Sequence, residues 1–291
     1  MESEEKANTL VIEAEKKLKS WFNFFGEKNE EACELYEKAA NLYKVAKKYE
    51  AAGNIYLKVA ECYKKCDSKN NRASAYHEAA KCFSKVESMS PRIAISAIEQ
   101  SIEIHSINGK LVKAAGMEKE LAELYEKNNE NETACKHYRI AAEYYENENQ
   151  QAHANSCLDK VGDLEALLGN YSEAIKAFEK VAYNKLDSQL VRSGAKEYLF
   201  KAIICNLADH SIVDSLYEVK DKLEEYIEKD VNFDGSKESE LMSKLLQASE
   251  NRDIIGFVAA LRVFDSIKRL DPWKITLFKK IKDDIMETDL R

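Results

Sequence analysis

Two prolines and nine glycines in 291 residues are too few breaks for a fold of many short strands and turns. No apolar run approaches the ~20 residues that a membrane-spanning helix needs, and the charged amino terminus lacks a signal-peptide core. The chain is therefore expected to be soluble. A Gly-rich phosphate loop, a Gly-x-Ser-x-Gly elbow and a His-Glu-x-x-His helix are all missing. The five histidines are far apart, and His105, at a core position of the repeat below, is expected to be packed or hydrogen-bonded. Cys62 and Cys66 sit four residues apart, yet no second pair or nearby histidine completes a metal site. Neither a metal, a cofactor nor an enzymatic activity is expected. The seven cysteines, an odd number without scaffold spacing, suit a reduced, cytosolic chain. A net charge of −8 argues against nucleic acid as the main partner, because a phosphate backbone needs a concentrated basic surface.

What is plentiful is helix-forming residues, with 33% of the chain charged. From Glu31 to Ala182 they fall into one repeated word. Its clearest copy is Ala32, Tyr36, Ala39, Ala40, Tyr43. Twenty residues on come Ala52, Tyr56, Val59, Ala60, Tyr63, and then Arg72, Tyr76, Ala79, Ala80, Phe83. Two extra residues near Ser90 and Pro91 shift the register once. The small first position then falls on Ala94, Ala114, Ala134, Ala154 and Ala174, with Ile102, Ala122, Ala142, Gly162 and Ala182 eight residues later. Spacings of four, seven, eight and eleven lie on one helical face. Each copy is thus a helix and a turn, and two copies make an antiparallel hairpin of about forty residues. The expectation is an all-α, right-handed solenoid of such hairpins, similar to tetratricopeptide repeats, over residues 1–185, followed by a carboxy-terminal helical bundle over 186–291.

Ahead of the repeat, residues 3–19 read as an amphipathic helix with Ala7, Leu10, Val11, Ala14 and Leu18 on one side. The loop 20–28 then places Trp21, Phe22, Phe24 and Phe25 together. These rings either cap the open end of the solenoid or enter a membrane or partner, and Lys16, Lys17, Lys19 and Lys28 favour an anionic lipid surface. Beyond the repeat, helices are expected over 193–208, 211–229, 237–249, 252–269 and 273–287, with Pro272 opening the last at its permitted first turn.

The aromatic loop ending Phe24-Phe25-Gly26, the following Glu30-Glu31-Ala32-Cys33-Glu34, the segment Asn184-Lys185-Leu186-Asp187-Ser188, the run Ser266-Ile267-Lys268-Arg269-Leu270-Asp271 and the final Asp289-Leu290-Arg291 resemble the soluble NSF attachment proteins of the alpha type. The resemblance covers essentially the whole chain. It implies an adaptor without chemistry of its own. Such an adaptor binds assembled SNARE four-helix bundles, of the syntaxin type, and recruits and stimulates the hexameric AAA ATPase NSF, which pulls the bundle apart. It also implies cytoplasmic placement with peripheral membrane attachment, Phe24 and Phe25 touching lipid beside Trp21 and Phe22. Lys160 and Lys196 match the basic SNARE-gripping face. Another lysine position of the family holds Gly116, with Lys110 and Lys113 nearby. Leu290, Asp289 and Glu250 match the ATPase contact, while Gln247 and Asn251 stand where the family commonly has Glu. The alternative reading is a helical-repeat scaffold for another protein partner.

Overall fold

The computed structural model describes residues 2–19, 27–209 and 216–288, and the regular elements among them are helices. They group into two compact units, Met1–Glu130 with Glu143–Asn149, and Asn131–Ala142 with Gln150–Arg291.

The first unit contains α1 (Glu2–Lys19), α2 (Glu27–Val45), α3 (Tyr49–Lys65), α4 (Lys69–Phe83), α5 (Pro91–Ile107) and α6 (Leu111–Lys127), each packed on the next in sequence. The unit boundary falls inside α7 (Asn131–Asn147). The repeat's alanines lie at the seams: Ala32, Ala39, Ala40, Ala52, Ala60, Ala79, Ala114 and Ala122 are completely buried. A methyl group there lets two helix axes approach, and Tyr36, Tyr43, Tyr56 and Phe83 fill the grooves alongside. The third copy departs from the expected word. Arg72 is only half-buried, with its guanidinium 5.6 Å from the Tyr76 ring centre. Ala73 takes the buried place instead, and its carbonyl accepts a hydrogen bond from Ser101 Oγ at 2.7 Å.

The turns repeat as regularly as the helices. Lys47, Asp67, Gly109, Asn129, Asn149 and Gly169 all have positive φ, between 52° and 82°. In five of these links the next residue donates its N–H to the carbonyl five residues back: Lys48 to Tyr43, Ser68 to Tyr63, Lys110 to His105, Glu130 to Tyr125 and Asn170 to Glu165. That is the Schellman closure, which satisfies orphan carbonyls at a helix end and reverses the chain in few residues. Because the left-handed residue recurs every twenty positions on each side of the Ser90 insertion, the helices from α3 to α9 are cut to similar lengths, 15 to 18 residues.

The second unit holds the start of α7, then α8 (Gln151–Leu168), α9 (Tyr171–Leu186), α10 (Ala195–Asp209), α11 (Leu216–Lys229), α12 (Lys237–Glu250), α13 (Ile254–Ile267) and α14 (Pro272–Thr288). The expected helices over 193–208, 237–249, 252–269 and 273–287 are found within two residues at each end. Buried nearly all round, α10 is the axis of this unit: Leu199, Ile203, Ile204 and Leu207 are fully enclosed by α9, α11, α12 and α14. By contrast α13 buries only Phe257 and Phe264.

Candidate functional site

The side chains singled out in the sequence fall at three kinds of place. Lys110 and Lys113 stand at the start of α6, where both charges bear on one buried imidazole. His105 is 1% exposed, and among the described residues its Nδ1 meets no hydrogen-bond partner. Burial, reinforced by Lys113 and Lys110, pushes it below the ordinary histidine range. The sign of the consequence is fixed. A group whose folded-state pKa is depressed contributes stability above its unfolded value, about 6.5, and that stability is lost as pH falls through the folded value. We expect the first unit to melt at lower temperature as pH drops below about 6.5, and His105→Leu to flatten that part of the profile. Parallel profiles for the two proteins would contradict this origin. His105 is a packed core residue, as its repeat position indicated.

In the second unit, Lys160 is exposed on α8 and Lys196 is half-buried in the first turn of α10. Lys196 lies within electrostatic reach of Glu238, which is 4% exposed. Burial pushes that carboxyl up, but the Lys268 ammonium at 2.8 Å, with Lys196 behind it, holds it below the usual range.

One tightly held charge of this unit is not among the residues singled out in the sequence. Lys201, 5% exposed, donates to Asp159 at 2.6 Å and to Asp163 at 2.9 Å. Its ammonium also stands 5.1 Å from the Phe178 ring centre and 5.7 Å from those of Tyr198 and Trp273. Burial alone would lower the lysine, yet the two carboxylates more than offset it, and it sits above the ordinary lysine range. Asp163 is itself held up, because burial outweighs the neighbouring ammonium. The proton therefore stays on the lysine. A signal was present: a single charge inside Leu199-Phe200-Lys201-Ala202-Ile203-Ile204 is costly unless it is paired. The trio ties α8, which carries Lys160, to α10, which carries Lys196.

Glu250, the last residue of α12, pairs with Lys220 of α11 at 2.5 Å. Gln247 and Asn251 line a groove between α12 and α13. Trp21, Phe22, Phe24, Phe25, Asp289 and Leu290 lie outside the described residues. Among the described residues no group of three or more His, Cys, Asp or Glu side chains is placed to hold a metal ion. Cys62 instead packs on Cys33, with Cys66 beside them, and donates to the Asn29 carbonyl at 3.2 Å. No described helix is long and apolar enough to cross a membrane.

Residues 5–286 match the family model described as soluble NSF attachment protein. The human alpha-soluble NSF attachment protein is 37% identical over 297 residues, covering 99% of this chain and 98% of its own length. That of Dictyostelium discoideum is 40% identical over 290 residues, covering 98% and 97%. A vesicular-fusion protein of Coprinopsis cinerea is 39% identical over 285 residues, covering 97% and 96%. Among solved structures, a Pyrococcus horikoshii signal-transduction ATPase with a tetratricopeptide-repeat sensor aligns with a TM-score of 0.51 at 16% identity, over 96% of this chain and 44% of that one. At that identity the likeness speaks for the fold alone: stacked helical repeats. Relatives matched end to end, on a repeat whose seams and turns are observed here helix by helix, settle the lineage: the chain belongs to the soluble NSF attachment protein family.

Proposed function

We propose that this chain is the adaptor of SNARE disassembly in vesicle fusion, holding an assembled four-helix SNARE bundle and bringing to it the hexameric ATPase NSF, whose ATP hydrolysis it stimulates. The observation that carries the reading is the family match from residue 5 to residue 286. Stacked hairpins suit the task, since closely packed helices form a stiff surface on which a rod-shaped coiled coil can lie. In our reading residues 1–185 form the gripping sheet and residues 186–291 the end that meets the ATPase.

The finer assignments follow the resemblance. Lys160, Lys196, Lys110 and Lys113 meet the acidic flank of a syntaxin-type bundle, where complementary charge fixes register and speeds encounter. Phe24 and Phe25, with Trp21 and Phe22, enter the lipid surface. Each buried ring contributes roughly 1.5–3 kcal/mol, so the attachment is weak and reversible and serves a protein already held near the membrane by its other contacts. Glu250, Asp289 and Leu290 engage the ATPase. The protein then works in the cytoplasm, peripherally on membranes.

The test is ATP hydrolysis by the hexamer with SNARE complex present, comparing wild type with Leu290→Ala. Wild type is expected to stimulate. The variant should bind the SNARE bundle equally well and lose most of the stimulation. A wild-type protein without effect would reject the adaptor reading in favour of a scaffold for another partner, whereas a fully active variant would reject only the role given to the tail.

A further inference from the structure

Ten of the fourteen residues of α13 are Ile, Val, Leu, Phe or Ala, yet only Phe257 and Phe264 are buried. Ile255, Val263 and Ile267 are 84%, 59% and 64% exposed. A helix of this composition left in water has no account in the core of its own unit. On its α14 side runs an open groove of about 620 Å3. Its apolar lining comes from Val258, Leu261 and Ile267 of α13 and from Leu270, Ile275 and Phe278. Its rim carries Arg262, Arg269, Lys279 and Lys282 against a single carboxylate, Asp265.

That carboxylate is already engaged. Asp265 accepts from the Leu270 N–H at 2.9 Å and faces Arg269 at 3.9 Å. Lys282 pairs with Asp283 at 3.1 Å. Among the described residues neither Arg262 nor Lys279 has a carboxylate within salt-bridge distance. In a chain of net charge −8 two unspent cations flanking an apolar trough amount to a local reversal of sign. A two-helix trough with an apolar lining and charged edges is the shape that receives a third amphipathic helix, and charge of the opposite sign sets its register.

We propose that the α13–α14 groove docks an acidic amphipathic helix of a partner protein, its apolar side chains on Leu261 and Ile275 and its carboxylates on Arg262 and Lys279. This is a second docking face. The ATPase contact proposed above uses acidic residues of this chain, Glu250 and Asp289, and therefore calls for a basic partner.

The probe is a synthetic fluorescent helical peptide of about four turns, with leucine on one face and glutamate elsewhere, titrated into the full chain by anisotropy. A twin with lysine for glutamate is run beside it. The acidic peptide should bind, weaken with salt, and protect amides of α13 and α14 from exchange. Arg262→Glu with Lys279→Glu should raise its Kd about tenfold or more, and Ile275→Ser should weaken it with the charges intact. All three sites are exposed, so the fold should be kept. Equal binding of the lysine twin, or an unchanged Kd in the double variant, would overturn the proposal. So would phosphatidylserine vesicles that bind wild type and lose the double variant while the acidic peptide tells the two proteins apart poorly. The Leu290→Ala assay does not depend on this groove, so either reading can fail alone.

Discussion

Lys201→Met is expected to cost about 3 kcal/mol, at the low end of the 3–5 kcal/mol that follows from removing one partner of a buried ion pair. The methionine would fill most of the space and keep contact with Phe178, Tyr198 and Trp273, so little is lost in packing. The cost lies with the groups left behind. Asp159 and Asp163 would face each other and an apolar wall without the ammonium from which both accept hydrogen bonds, with only the farther Lys274, itself paired with Asp271, to offset their charge. Their side chains are 30% and 28% exposed, so water reaches them and the penalty stays below the upper end. For a unit of this size the loss amounts to a melting temperature lower by roughly 6–12 °C. Adding Asp159→Asn and Asp163→Asn should recover most of it, because neutral amides can satisfy one another without the ammonium. A triple variant as unstable as the single one would mean that the lysine acts by shape. A single variant as stable as wild type would mean that the trio contributes nothing.

Most of the fold could be read from residues alone because the repeat encodes it twice. Alanines at fixed spacing define the seams, and Asn-Gly, Gly-Asn and Asn-Asn pairs mark the turns, where a left-handed residue is needed every twenty positions. Even the exceptions stay in phase: Lys47 and Asp67 take positive φ without being glycine, since the Schellman bonds on either side of the residue fix the backbone there. Arg72 misled because a twenty-residue ruler cannot see that the α4–α5 contact uses the next residue. For α13 the pattern gives the helix but not what its apolar face meets. An apolar helical period is the same whether its face meets the core or a partner, and only burial separates the two cases.

The candidate site was less legible for a related reason. Lys160 and Lys196 were found through resemblance, which carries no information about how they are held. The trio that fixes their two helices involves residues 42 and 38 positions apart in sequence, and no local pattern announces such a pairing. Lys201 stood in plain view as a charge among apolar neighbours. A buried charge demands a counter-charge, but the sequence alone leaves dozens of carboxylates to choose from.

Gly162→Ala should destabilise the second unit, against the direction that helix propensity sets. Within a helix, alanine is favoured over glycine by about 0.5–1 kcal/mol, and Gly162 stands in the middle of α8. Its place in the repeat is one of the small positions where a neighbouring axis passes. A Cβ built there would lie 2.6 Å from Cζ and 2.7 Å from Cδ1 of Phe178. The ring has nowhere to go. It is fully buried, stacked on Trp273 at 5.9 Å between centroids, and covered by the Lys201 ammonium. Forcing a methyl group into such a site typically costs 1–3 kcal/mol, so the net should be a loss of about 1–2 kcal/mol after the propensity gain. Gly116→Ala is the matched control. It too lies within a helix, α6, but the nearest atom to its added Cβ is the Tyr145 hydroxyl at 3.5 Å, an ordinary contact, and propensity should win. Urea melts of the two variants are expected to move in opposite directions, Gly162→Ala down and Gly116→Ala up by a few tenths to one kcal/mol. If both rise, the α8–α9 seam is softer than the stacked ring and its ammonium imply, and glycine at that step of the repeat is not required by close approach.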